Sequence, residues 1–213
     1  MLDIIHPQIN DYIEKQFAEE DRVLGEMAAY GDKKDFPYIG PQAGRILFIL
    51  ARLLKARRIF EMGSGYGYSA YWFAKALPEG GKVFQTEYSG ENSKKAREFF
   101  ERGKLAGRTE WLTGDALELI DKTPGEFDIV FLDLDKEHYP DAFRKAADRI
   151  KSGGLLIADN TLWFGKVLEP RPDAETAGIR EFTRLLFQDP RFFATIVPIR
   201  DGIAVGYKKD GTE

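Results

Sequence analysis

Two places in the chain crowd oxygen-bearing side chains onto the end of an apolar run. In DIVFLDLDKEHY, residues 128–139, Asp133, Asp135 and Lys136 fall within four residues of one another directly after a strand-like stretch. In GGLLIADNTLWFG, residues 153–165, Asp159 and Asn160 do the same. Carboxylate and amide oxygens suit a hard divalent ion such as Mg²⁺, Mn²⁺ or Ca²⁺, and Mg²⁺ commonly leaves part of its shell to water or substrate. Charged residues also mark the ordinary exit of a buried strand into solvent, and for residues 128–139 taken alone that reading is sufficient.

A third feature is EMGSGYGYSA, where Gly63, Gly65 and Gly67 lead into a helix. A dinucleotide fingerprint needs its third glycine at position 68, which is Tyr68. An alternating loop of this kind fits a nucleoside with an amino-acid tail better than a pyrophosphate. Glu61 adds a carboxylate at the strand end, and Glu87 ends the next strand at the separation where an acid takes ribose hydroxyls. In TGDALEL, Asp115 either accepts from an adenine amino group or caps the helix that follows.

These residues need a sheet whose strands end on one edge. Strand patterns run over 57–62, 82–87, 109–113, 127–133 and 155–159, separated by the helical patterns YSAYWFAKAL, ENSKKAREFFERGKL, ALELIDK and PDAFRKAADRI. Alternation of strand and helix predicts a parallel α/β sheet with helices on both faces. FFATIVPI (192–199) and IAVGYKK (203–209) flank RDG and predict an antiparallel hairpin, making seven strands in a mixed sheet. Residues 8–55 read as helical, broken by YGDKKDFPYIGP; the chain is expected to be a single domain, 1–213, with a helical lid or interface segment, 1–56, added to an α/β core, 57–213.

Composition sets the remaining bounds. Hydrophobic residues make up 43% and aromatics 13%, and 31 basic against 35 acidic residues leave a net charge of −4, so no global positive field recruits nucleic acid. Cysteine is absent, which excludes disulfides and thiolate metal sites. The amino terminus lacks the pattern of a secretory signal and no apolar run reaches membrane-spanning length, so a cytoplasmic protein without membrane association is expected.

The motifs FEMGSGYGYSA, GDALE, DIVFLDLDKEHY, GGLLIADNTLWFGKV and PIRDGIAV resemble the divalent-cation-dependent O-methyltransferases of the catechol and caffeoyl-CoA type across nearly the whole chain. That resemblance implies a Rossmann-like class I methyltransferase fold, S-adenosylmethionine as methyl donor and a homodimer. It implies that Asp133, Asp159 and Asn160 hold the metal, Mg²⁺ foremost, and that Lys136 is the catalytic base. Ile39, Glu61, Gly63, Ser69, Glu87, Asp115 and Asp135 are implied for the donor. A divalent ion beside a phenolic hydroxyl lowers its pKa, and Lys136 beside that ion is expected to lose its proton more easily. Tyr139 and Trp163 are candidates for an aromatic wall against a planar acceptor, with ordinary packing as the alternative.

Two positions depart from the family pattern. His138 replaces a common asparagine and reads as a surface residue, while Arg200 replaces a common glycine and either clamps an anionic substrate or is an exposed turn residue. The expected acceptor is a small phenolic compound. The second expectation, also from the resemblance, is tRNA wobble hydroxyuridine. The basic run RLLKARR precedes the first strand, opposite the expected site, and leaves Lys33, Lys34, Lys166 and Arg171 as a modest patch for RNA. A nicotinamide dehydrogenase is disfavoured by the glycine spacing and the oxygen trio. Retention of Lys136 argues against a noncatalytic donor-binding module.

Overall fold

The computed structural model describes residues 3–17 and 21–211; the sequence readings at 1–2, 18–20 and 212–213 lie outside them. Three helices come first: α1 (Pro7–Lys15), α2 (Arg22–Lys34) and α3 (Gly40–Leu53). The chain then alternates through β1 (Arg58–Met62), α4 (Tyr68–Ala76), β2 (Lys82–Glu87), α5 (Gly90–Arg102), β3 (Thr109–Thr113), α6 (Ala116–Lys122), β4 (Phe127–Leu132), α7 (Tyr139–Ala147) and β5 (Ile150–Ala158). It closes with α8 (Ala174–Gln188), β6 (Phe192–Val197) and β7 (Ile203–Lys208). The seven strands form one sheet in the order β3-β2-β1-β4-β5-β7-β6. β1 to β5 pair in parallel, and β7 runs antiparallel to both β5 and β6.

The near-continuous apolar runs of β1 and β4 follow from burial on both faces. Ile59, Ile129 and Phe131 pack under α3, α4 and α5. Their neighbours Phe60, Val130 and Leu132 turn the other way, toward α6, α7 and α8. Alternation along each strand therefore feeds two separate cores, one per face.

The amino-terminal helices are tied to the core by specific contacts. Asp21 caps α2, accepting from the Val23 amide at 2.9 Å, and its other oxygen takes Lys75 of α4 at 2.6 Å. Gly44 in α3 leaves room for Trp72, whose Nε1 would stand 2.2 Å from any Cβ there. Between α2 and α3 the chain turns at Asp35 (φ 51°) and lays Phe36 and Tyr38 edge-on against Tyr66.

Three elements differ from the sequence expectation. β5 begins at Ile150 rather than 155, because Ile150 pairs with Phe127 before a register shift between Phe127 and Ile129. Helix α8 has no counterpart in the sequence-based set; Gly178 and two threonines weaken its local propensity, and packing on α7 and β6 supplies what propensity does not. The RDG turn is a longer loop, residues 198–202, with Arg200 at φ 51° and Gly202 at φ 93°. Among the described residues no helix is long and apolar enough to cross a membrane.

Candidate active site

The cleft at the carboxyl ends of the strands has a volume of about 580 Å³, within the usual range for a small-molecule site. Ends of parallel strands are where an open α/β sheet presents its ligand-binding crevice, since the loops there diverge. Ile39, Gly63, Ser69, Glu87, Asp115 and Asp135 line one part of it. Asp133, Lys136, Asp159, Asn160, Trp163 and Arg200 line another.

On the first side, the glycine loop is held close to the sheet. Gly63 has φ 89°, and a Cβ there would fall 2.3 Å from the carbonyl oxygen of Asp133, so only glycine lets the two strand ends approach. Thr86 pins the loop: its hydroxyl donates to the Glu61 carbonyl at 2.8 Å and accepts from the Gly63 amide at 3.1 Å. Glu61 is fully buried behind the loop, its Oε2 accepting from Ser64 at 2.6 Å, and it does not reach the cleft wall. Its Oε1 is buried without a hydrogen-bond partner, and Ser64 and Ser69 line the cleft. Burial pushes the Glu61 carboxyl up to about 7, against hydrogen bonds from Ser64 and Ser69 that work the other way.

Glu87 ends β2 on the cleft wall, with Oε1 accepting from the Ser89 amide at 2.7 Å. That contact orients the carboxylate. Asp115 caps α6, accepting from the Leu117 amide at 2.8 Å, and lines the cleft as well, so capping occupies one oxygen only.

On the second side, β4 and β5 are hydrogen-bonded neighbours, and the Asp159 amide donates to the Leu132 carbonyl at 3.1 Å. That pairing sets Asp133 and Asp159 on adjacent strand ends. Asp159 is 3% exposed, with Oδ1 buried and without a hydrogen-bond partner. Its carboxyl is pushed up to about 7 by burial and then by the charge of Asp133. Asn160 (φ 56°) donates its amide to Asp201 Oδ2 at 2.8 Å, which leaves the amide oxygen as the free end of the group. Among the described residues no cluster of three or more His, Cys, Asp or Glu side chains is arranged for a metal ion. A set of two carboxylates and one amide, with a buried orphan oxygen, does fit a hard divalent cation by the chemistry of its donors.

Lys136 starts a 3₁₀ turn (Lys136–His138) and is nearly buried, its Nζ donating to Asp133 Oδ1 at 3.0 Å and to the Leu134 carbonyl at 3.1 Å. Burial favours the neutral amine, but interactions with Tyr139, Asp133 and Asp159 outweigh it and raise the pKa above the ordinary lysine value. With no cation between them, Tyr139 and the two carboxylates favour the ammonium form. Tyr139 follows the packing alternative. It is fully buried under the site, its hydroxyl donating to the Asp159 and Leu132 carbonyls at 3.0 and 3.2 Å, and it forms a floor beneath Lys136 rather than a wall. Trp163 does line the cleft, with its Nε1 buried and without a hydrogen-bond partner. His138 reaches the rim and is half-exposed.

Sequence reading missed two contributors. Asp201, taken as part of a turn, is fully buried; besides holding Asn160, its carbonyl accepts from the Leu162 and Trp163 amides at 2.7 and 3.2 Å. Its only sequence signal was an acid before a glycine, which is also an ordinary turn pattern. The segment 36–38, with Phe36 and Tyr38, lines the cleft as well, and its signal was an aromatic-rich break between helices.

The parallel sheet with its antiparallel hairpin, and a glycine loop opening a cleft at the strand ends, define a class I methyltransferase fold. The O-methyltransferase family model matches residues 14–209, and the chain belongs to that family. It is 31% identical to the catechol O-methyltransferase of Niastella koreensis, over 96% of this chain and 98% of that protein. An O-methyltransferase from Streptomyces achromogenes involved in tomaymycin synthesis, in complex with SAM, superposes with a TM-score of 0.87 at 28% identity, covering 95% of this chain and 96% of that one. The O-methyltransferase from Bacillus cereus in complex with SAH gives 0.86 at 29% identity, over 94% and 97% of the two chains.

Proposed function

We propose that the cleft binds S-adenosylmethionine on its glycine-loop side and methylates a hydroxyl of a small catechol or phenolic acceptor on its Lys136 side. The observation that carries this is the sharing of one cleft by Gly63, Ser69 and Glu87 with Asp133, Lys136, Asp159 and Asn160. The complexes of the Streptomyces and Bacillus relatives support the donor, and the Niastella relative supports the acceptor class.

Glu87 accepts the ribose hydroxyls in charge-assisted hydrogen bonds. The acceptor oxygen attacks the sulfonium methyl in line; the new C–O bond forms as the C–S bond breaks, and its electron pair returns to sulfur as a neutral thioether. The hydroxyl proton passes to Lys136 Nζ, which acts as the neutral amine. Asp133, Asp159 and Asn160 would hold a divalent cation, whose charge when bound lowers the pKa of a hydroxyl beside it and offsets the carboxylates that keep Lys136 protonated. Holding donor and acceptor in a near-attack arrangement supplies much of the remaining acceleration.

The test is transfer of a labelled methyl group to a panel of catechols and to undermodified tRNA, with Mg²⁺ and after chelation. Labelled catechol is expected, lost on chelation and restored by Mg²⁺. Labelled tRNA with no labelled catechol overturns the acceptor class, and undiminished turnover after chelation overturns the cation.

A further inference from the structure

Arg200 stands in the loop between β6 and β7 where that loop meets the acceptor side of the cleft. Its φ of 51° is one that glycine adopts without strain. The side chain is 30% exposed and lies near Gly40, where a Cβ would stand 3.6 Å from Nε. Nη1 is 3.6 Å from Asp159 Oδ2, beyond hydrogen-bond reach, and is buried without a hydrogen-bond partner. Lys136 on the same wall is held by Asp133 and the Leu134 carbonyl. The contact of Arg200 with Asp159 is an ion pair without a hydrogen bond, and its partly exposed side chain lines the cleft, where an anionic group can meet it.

We propose that the acceptor is an anionic catechol, an aromatic diol carrying a carboxylate, and that Arg200 receives that carboxylate. A guanidinium meets a carboxylate with two parallel charge-assisted hydrogen bonds, a geometry no lysine reproduces. In such a complex the ring lies along Trp163, with a hydroxyl toward Lys136 and the carboxylate toward Arg200. The inference rests on the methyl-transfer reading and narrows its substrate class.

Protocatechuate and its methyl ester separate the two, since they share the diol and differ in the charge. Turnover and equilibrium binding, followed by quenching of tryptophan fluorescence, are measured for both with the wild type, Arg200→Gly and Arg200→Lys. The wild type is expected to favour the acid over the ester by roughly 10- to 100-fold in kcat/KM and in affinity. Arg200→Gly, which relaxes the backbone and so should fold, is expected to lose most of that ratio, chiefly through KM, and Arg200→Lys to recover only part. An acid-to-ester ratio unchanged in Arg200→Gly, or a wild type without preference, overturns the proposal. Binding that keeps an Arg200-dependent preference for the acid while no acceptor is methylated supports the anion receptor and overturns methyl transfer to this class. Equal turnover of acid and ester by the wild type does the reverse.

Discussion

At the scale of single residues, this site depends on carboxylates placed where water cannot reach them. Glu61 is the clearest case, since burial raises its pKa from 4.5 to about 7. Between those values the native state holds a proton that the unfolded chain has released. Stability from this group is therefore greatest below the unfolded value and falls as pH rises through the folded one, by about 3 kcal/mol in all. Glu61→Gln keeps the hydrogen-bonding shape without the titration. Its melting temperature should rise relative to wild type as pH increases from weakly acid to weakly alkaline, read from thermal melts across that range. Parallel profiles for the two proteins would show that Glu61 does not titrate there.

At the scale of elements, α8 decides where Lys136 sits. A Cβ on Gly178 would fall 2.3 Å from the Lys136 carbonyl and 2.7 Å from the Glu137 Cα, so the helix rests directly on the 3₁₀ turn that carries the lysine. Both obstructing atoms are backbone and cannot rotate aside. Gly178→Ala is expected to cost about 1–3 kcal/mol of stability and to displace the turn. Turnover should fall while affinity for S-adenosylhomocysteine stays close to wild type, as measured by calorimetry alongside melting curves. Wild-type melting and turnover in this variant would mean that the helix and turn separate at little cost. The hairpin loop plays the matching part on the other side: Gly202 admits Leu162 to within contact of its backbone, and Asp201 fastens Asn160 and the Trp163 loop to it.

At the scale of the whole molecule, one cleft joins loops from β1, β2, β4 and β5 with the Phe36–Ile39 segment between α2 and α3. A ligand bound there bridges segments far apart in sequence and stabilises the native state only. S-adenosylhomocysteine at about 100 times its Kd should contribute about 2.7 kcal/mol, raising the melting temperature by roughly 5–10 °C for a chain of this size. Glu87→Ala should reduce that rise to less than half at the same ligand concentration. An undiminished rise in a folded Glu87→Ala protein would remove the carboxylate from the donor site.

Much of this organisation is legible in the linear chain because its signals are local. Apolar runs such as RRIFEM and FDIVFLD, punctuated by glycines and acids, locate the strands and their ends, so Glu87, Asp133 and Asp159 can be placed at one edge before any strand order is known. The family motifs carry the same residues. Which strands are neighbours is not local, and the adjacency of β4 and β5 that brings Asp133 beside Asp159 is set by tertiary pairing. Burial is likewise a property of the packed molecule. Tyr139 and Asp201 look like a strand-exit aromatic and a turn acid in sequence, yet both are fully buried, one by α8 against the sheet and the other by the loop after β5. The surroundings of Lys136 belong to the same category, since folding sets its amine on Asp133 and over the Tyr139 ring.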